Sequence, residues 1–482
     1  MVSDVATRSN KSENRHVKAR GRARYVAETE TPAAAPEERR AKGKALRSAT
    51  PREAHAGWKA PANRRDPVEM LVESNEGRML DLVPIRFGRM MQSPFTFYRG
   101  SASIMAADLA TTPQSGLRVQ ACGDAHLLNF GGFATPERHV VFDINDLDET
   151  LPAPWEWDVK RLVASVVIAA QYLQLTETEA AKAAIATVRS YREHMADYSS
   201  MRALEVWYDT IGVEDVMKLA PADDMRAQLQ KRVEKAEERS SPEFVFPKLA
   251  GHRGAEPRIK DDPPLIFHPP PDKLPGYRAG FREPIAHYRE SLPEHVRVLL
   301  DRYRICDVAI KVVGIGSVGT VCGVSLWIAA DNDPLFLQIK EAGPSVLEPY
   351  AGKSLYENHG QRVVNGQRLM QSASDIFLGW TKTLTGRHMY IRQLRDVKLS
   401  AIVEDWDFNR LREYGKLCGW VLAKAHARSG DAASIAGYMG ASETFDDAIC
   451  EFAVEYADQN QHDYRAFIKA VREGRIKAIV ES

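Results

Sequence analysis

Val159, Leu162, Val163, Val166, Val167 and Ala170 recur at helical spacing within PAPWEWDVKRLVASVVIAAQYLQL, which predicts a helix buried on one broad face. Further helices are predicted over residues 177–198, over 409–427 with Tyr414, Leu417, Cys418, Val421 and Leu422 on the apolar side, and across 443–479. Residues 66–109 are also helical in pattern, interrupted by a turn at MMQSPFTFYRG whose Met90, Phe95, Phe97 and Tyr98 read as core. Strand-like runs appear at 119–122, 140–144, 308–313 and 320–328, then in LFLQIK and MYIRQL. A helix over residues 354–374 is expected before DIFLGW and MYIRQL.

Two stretches break this pattern. Residues 1–65 are rich in Arg, Lys, Glu, Ala and Pro without a sustained period, the composition of a disordered basic and charged tail. Residues 201–302 mix charged helical segments with Pro-rich pieces such as KDDPPLIFHPPPDKLPGY and read as an insertion or connector. With 482 residues, 44% of them hydrophobic, the chain can bury a large core divided into two or three lobes. Formal net charge is zero, so no global basic field points to nucleic acid. No apolar run reaches the roughly 18 residues of a membrane span, and the amino terminus lacks a signal-peptide core, so a cytoplasmic location is expected. The five cysteines are scattered and never paired as CxxC, which argues against a disulfide framework or a zinc knuckle.

Chemistry concentrates in CGDAHLLNFGGFATPERHVVFDINDLDET, which gathers six acidic residues with His and Asn around a Gly-bounded turn. Asp124, Asn129 and Asp143 are expected to converge on one cation, and Asp146 is the next candidate ligand. Asp148 and Glu149 read as solvated charges, and His126 as a residue that satisfies a tight turn. The run from Asp143 fails as a calcium loop, because Leu147 stands at its fifth position and no Gly follows at the sixth. A second loaded stretch is the hairpin around GIGSVG. Gly314, Gly316, Ser317 and Gly319 would bring backbone N–H groups to an anion, and Lys340 on the following strand would neutralise it. Arg99, beside aromatics, is placed either for plain packing or for a phosphate.

The block Gly123 to Asn129 resembles the HGDxHxxN catalytic loop of aminoglycoside-phosphotransferase and choline-kinase-like members of the protein-kinase-like superfamily, with Cys122 where the first His usually stands. Val140 to Asp143 resembles the strand and metal-binding Asp that follow there, fourteen residues after Asn129. Trp157-Asp158-Val159 resembles the aromatic-Asp-Leu that opens the next helix, whose Asp braces the catalytic loop. From about residue 66 the chain also resembles an uncharacterised bacterial family, domain-of-unknown-function family 2252, whose hallmark is the CGDAHxxNFG block.

The resemblance implies an α+β, protein-kinase-like two-lobed fold with one departure. The glycine-rich turn and strand Lys follow the catalytic loop here instead of preceding it, so the lobe order looks circularly permuted. Residues 66–200 and 397–482 would build a large helical lobe, with the helix carrying Leu422, Ala423 and His426 beside the catalytic loop. Residues 303–396 would form a small antiparallel nucleotide-binding lobe. Circular permutation is tolerated because site geometry depends on packing. The implied activity is ATP- and Mg²⁺-dependent phosphoryl transfer to an unidentified hydroxyl or amine. Asp124 would act on the acceptor proton, Asn129, Asp143 and Asp146 on Mg²⁺, and Lys340 on the nucleotide phosphates. Glu357 is expected to orient Lys340, with Glu348 or Gln361 as substitutes. Rival readings are a kinase-fold AMP-transferase, a nucleotide-binding pseudoenzyme and a metal-dependent phosphoesterase; the last would leave the hairpin and Lys340 unexplained.

Overall fold

The Trp155–Tyr172 helix lies at the centre of the larger lobe, and every residue from Trp155 to Ala170 is buried, including Glu156, Asp158, Lys160 and Arg161. It packs against the Glu177–Tyr198, Phe408–Ser429 and Thr444–Arg472 helices. Burial on all sides exceeds the single broad face predicted from its apolar period; Asp158 and Arg161 are hydrogen-bonded inside the lobe, and the Lys160 ammonium lies 4.8 Å from the Phe452 ring centre. Thr176 and Glu179 form a reciprocal capping box that starts the second helix at Glu177, as the periodicity predicts. The last of the four is one 29-residue helix, where several had been expected.

This computed structural model describes residues 34–481, apart from 220–222, 239–241, 254–255, 269–281, 313, 317, 331–332 and 395–396. It is mixed α/β, with 52% helix and 16% strand. The strands form small antiparallel sheets. Phe130–Ala134 pairs with Val140–Ile144 on one side and Lys398–Ser400 on the other, and Arg118–Ala121 pairs with Leu151–Pro154. The largest sheet has six strands, in the order Gly379–Lys382, His388–Gln393, Pro334–Glu341, Cys322–Ile328, Arg304–Lys311 and Ile266–Phe267.

The expected connector is divided: its Ala203–Tyr208 and Val213–Leu219 helices pack on the larger lobe, and its second half is part of this smaller lobe. Its Ile266–Phe267 strand extends the sheet, and its Arg282–Glu290 and Glu294–Leu300 helices bury Tyr288, Leu292, Val296 and Leu300 against Trp327, Leu335 and Leu337. The helix predicted over 354–374 is shorter, His359–Met370, because Asn358 accepts the Gln361 N–H and caps it late. That helix joins the lobes, touching the outer strands of the six-stranded sheet on one side and the Phe408–Ser429 helix on the other. Gly366 makes the approach possible: a Cβ there would lie 2.3 Å from Thr150 Cγ2.

The expectation of a disordered tail through residue 65 is corrected from residue 34 onward; residues 1–33 lie outside the described residues. Pro36–Ala45 is a helix packed on the Ala432–Met439 helix. Arg39 pairs with Asp431 at 2.9 Å, and Arg47 donates to the Gly437 and Tyr438 carbonyls at 2.6 and 2.8 Å. Docking through a glycine and arginine forks leaves no apolar stripe, so the composition alone looked like a tail. Among the described residues all five cysteines are free, and no helix is long and apolar enough to cross a membrane.

Candidate functional site

Asp158, four residues into its helix, fixes the loop that follows the Arg118–Ala121 strand. Its Oδ2 accepts the Cys122 N–H at 2.5 Å and its Oδ1 the Gly123 N–H at 2.9 Å, and His426 Nε2 lies 3.1 Å from Oδ2. Gly123 turns the chain at φ +82°, where a Cβ would also strike the Glu149 carbonyl at 2.5 Å. The Phe408–Ser429 helix supports the loop from behind, with the Tyr414 hydroxyl donating to the Phe130 carbonyl at 2.9 Å. The bracing role expected of Asp158, and the place expected for the His426 helix, both match this geometry.

One turn further along the same helix, Arg161 reaches Asp124. Its Nε donates to Oδ1 at 2.7 Å, its Nη2 donates to that same oxygen, and Nη2 also reaches the Tyr98 carbonyl. Both bonds fall on Oδ1, and the Asp124 side chain remains 20% exposed. Burial pushes its pKa up to about 6, against the pull of the Arg161 charge. Asn129 donates its side-chain N–H to the Asp124 carbonyl at 2.7 Å, and its Oδ1 has no hydrogen-bond partner among the described residues. His126 is buried and accepts the Leu128 N–H on Nδ1 at 3.2 Å; burial and then Arg99 and Arg161 hold it neutral.

These residues line a cleft of about 810 Å³ between the lobes, the size of a site for a nucleotide or cofactor. The opposite wall comes from the smaller lobe. Lys340, 3% exposed, donates to Asp148 Oδ2 at 2.7 Å and sits 3.3 Å from both Asp146 oxygens. Its ammonium lies 5.3 Å from the Tyr390 ring centre, and the Tyr390 hydroxyl donates to Asp148 Oδ1. Burial works against charge on Lys340, but Asp146 and Asp148 outweigh it and hold its pKa well above the ordinary lysine value. Burial likewise opposes ionisation of Asp146, and Lys340 and Arg392 reverse the sign, leaving its carboxyl well below the usual range. Asp148 moves up instead, through burial and the neighbouring Asp146 charge.

Several expected residues stand elsewhere. Asp143 is fully buried and does not line the cleft: Lys424 Nζ donates to its Oδ2 at 2.7 Å, and the Ser372 hydroxyl and N–H donate to the same oxygen. Fully buried, with Lys424 and Ser372 on Oδ2 and the Ile144 N–H on Oδ1, Asp143 stands as a structural anchor. Glu357 is exposed, in the segment ahead of the late-capped helix, and Asp146 and Asp148 are the acidic partners of Lys340. Asp148 and Glu149, read as solvated, line the cleft, and Glu149 Oε2 accepts the Val346 N–H at 2.7 Å. Gly314 (φ +65°) and Gly316 line the cleft with open space where a Cβ would sit, whereas Gly319 packs on Arg78 and Met79 away from it. Ser317 lies outside the described residues. Arg78 Nη1 donates to the Gly316 and Val318 carbonyls, both at 2.7 Å, and ties the hairpin to the larger lobe.

The Asp143–Lys424 pair carries a stability prediction. Lys424→Met should leave a fully buried carboxylate without its cation, which costs about 3–5 kcal/mol. Urea unfolding should show that loss; a variant within about 1 kcal/mol of wild type would remove Asp143 from its anchoring role.

Arg161, Lys424, Ser372, Arg78 and Tyr390 were missed from sequence. Arg161 alone had a usable signal, because it follows Asp158 at helical i+3 spacing and must share its face. The others meet their partners across more than two hundred residues of chain or from loops, where no local period exists. No match to the chain is found among curated proteins or among solved structures. The model of the family described as an uncharacterized protein conserved in bacteria (DUF2252) matches residues 78–470, and the chain belongs to that family.

Proposed function

We propose that this chain is an ATP- and Mg²⁺-dependent phosphotransferase with a kinase-like, circularly permuted arrangement of lobes. The observation that carries the reading is the meeting of Lys340, buried behind the cleft wall, with Asp146 and Asp148, 194 and 192 residues apart in sequence, where these two carboxylates line one cleft with Asp124, Asn129, Gly314 and Gly316. The sheet order supports it as well. Two strands joined through the glycine-rich turn, a third bearing Lys340, then a helix and two more strands match the small lobe that the sequence resemblance implies.

The residues fit a magnesium ion. Asp146 offers a partly exposed carboxylate and Asn129 a free amide oxygen, hard donors suited to an ion that takes one or two carboxylates plus phosphate oxygens and water. Asp143, held by Lys424, does not belong to that set. Bound Mg²⁺ would supply charge neutralisation at the nucleotide phosphates. Lys340 would exchange its contact with Asp148 for a phosphate oxygen, under the open backbone of Gly314 and Gly316. Asp124, with Arg161 on Oδ1, keeps Oδ2 for the acceptor proton. Among the described residues no three His, Cys, Asp or Glu side chains gather as a multi-metal phosphoesterase would require.

Equilibrium dialysis and transfer assays with γ- and α-labelled ATP, with Mg²⁺ and with chelator, test the reading. Mg²⁺-dependent ATP binding is expected, with γ-label moving to water or acceptor and α-label staying on free nucleotide. Asp146→Asn should lower turnover by about 10²-fold or more while leaving the protein folded. A wild-type chain that neither binds ATP nor moves label would end the proposal, and covalent retention of α-label would replace it with AMP transfer.

A further inference from the structure

Arg99 is the part of the cleft that nucleotide chemistry leaves unused. It lines the cleft, yet no hydrogen bond or ion pair of its guanidinium occurs among the described residues, and its Nε is buried without a partner. Leaving such a group unpaired is costly, and an arginine fork is shaped for the two oxygens of a phosphate or carboxylate. Its surroundings favour an anion too. Arg86, 2% exposed, lines the same wall, donates Nη2 to the Gly100 carbonyl and has its own Nε buried without a partner. The eight-residue Ala102–Leu109 helix starts there, with Ala102 and Ser103 on the cleft wall. Ser101 gives it no side-chain cap, and while the Ile104 and Met105 N–H groups donate to the Ser101 carbonyl, those of Ala102 and Ser103 have no intrahelical acceptor.

Arg99 and Asp124 both stand on the larger-lobe wall of the cleft. The charges that act most strongly on Asp146 are Lys340 and Arg392, both of the smaller lobe, whereas Arg99 acts on Asp124 and His126. Arg99 in turn feels Asp124 and Glu404. An anion on Arg99 would therefore lie beside Asp124 in the shared cleft. We infer that the acceptor is an alcohol that already carries a phosphate monoester, which Arg99, Arg86 and the start of the Ala102–Leu109 helix hold while Asp124 faces its hydroxyl. The assignment of that hydroxyl rests on the phosphotransferase reading; the anion seat does not.

In the transfer step the acceptor oxygen forms a bond to the γ-phosphorus as the bond to the β–γ bridging oxygen breaks. The hydroxyl proton passes to Asp124, and ADP leaves with the bridging electron pair. The test uses full-length wild type, Arg99→Met and Arg99→Lys, with inorganic phosphate titrated by calorimetry in the absence and presence of a saturating non-hydrolysable Mg²⁺–ATP analogue. Phosphate should bind wild type in both conditions, and Arg99→Met should weaken it by about 10- to 100-fold, the worth of a lost charge-assisted pair. Arg99→Lys should fall between, keeping the charge without the fork.

Three results would overturn the seat: no phosphate binding at millimolar concentration, equal binding by Arg99→Met, or displacement of phosphate by the nucleotide analogue. The acceptor class is tested with γ-labelled ATP against sugars and polyols offered free and as monophosphates. Preference for the phosphorylated partner, lost in Arg99→Met through KM for the acceptor with KM for ATP unchanged, is expected. Equal or better use of the free compounds would overturn it. If wild type binds phosphate through Arg99 but never binds ATP, the seat stands and the phosphotransferase reading falls.

Discussion

Lys340→Met should lower Mg²⁺–ATP turnover by about 10²- to 10³-fold, the usual loss when one preorganised charge is removed from a group-transfer site. The geometry makes this a chemical defect first. Lys340 is the buried cation that meets both Asp146 and Asp148, two carboxylates of the cleft wall. Without it the two carboxylates face each other in a poorly solvated wall, so Asp148, already raised by burial and by Asp146, rises further and takes a proton. Its bond from Tyr390 then loses its charged acceptor. Lys340→Arg separates chemistry from folding, since the charge survives while the reach and shape change. The expected order of turnover is wild type, then Arg, then Met, with the Arg variant melting close to wild type. Turnover of Lys340→Met within a factor of about two of wild type would disconnect Lys340 from the reaction.

Much of this site was legible because short polar loops carry their own grammar. Gly123 must stand where φ is positive, Asp124 and Asn129 follow at fixed offsets, and Asp158 opens a helix whose apolar period can be counted. The Glu177–Tyr198 helix, where period and cap coincide, and the Val140–Ile144 strand fall where the sequence pattern puts them. Asp143 was misread by the logic that made Asp124 readable. A carboxylate at a strand end after a catalytic-type loop looks like a ligand, and only the packing of the Phe408–Ser429 helix reveals Lys424 beside it.

Partner choice across lobes is where sequence signal runs out. Glu357 had suitable spacing from Lys340, but Asn358 caps the following helix one residue later and leaves Glu357 exposed. Lys340 takes carboxylates delivered by the Asp146–Asp148 turn instead, a contact that depends on lobe docking through Gly366 against Thr150 and through Arg362. Arg362 donates to the Thr150, Asp148 and Gly343 carbonyls at 2.6, 2.8 and 2.9 Å, holding the Asp148 end of that turn beside the segment that follows the Lys340 strand. The six-stranded sheet was also only partly foreseeable. Its sixth strand, Ile266–Phe267, comes from a segment whose prolines advertise irregularity, and two residues are too few for an alternation to show.

Asp124→Asn should remove the largest share of activity, about 10²–10⁴-fold when a general base is lost, and the pH profile of wild type should carry its signature. The carboxyl pKa is pushed up to about 6, so the ionised, proton-accepting form is depleted as pH falls through 6. kcat/KM should therefore rise with pH to a plateau above about 7, later than an ordinary aspartate would give. Arg161 sets the position of that limb. Its charge opposes the effect of burial on Asp124, so Arg161→Met must raise the Asp124 pKa further and move the limb to higher pH. The sign is what discriminates. If Arg161 merely holds the loop in place, its loss lowers activity at every pH without moving the limb. If Asp124 is the base, activity of Arg161→Met recovers toward wild type as pH rises. The Asn variant should be low and flat between pH 5 and 8, keeping the Mg²⁺–ATP affinity of wild type, because the role proposed for Asp124 is toward the acceptor and not the nucleotide. A wild-type profile without an acid limb near 6, or an Asn variant that retains the limb, would assign the proton transfer to another group.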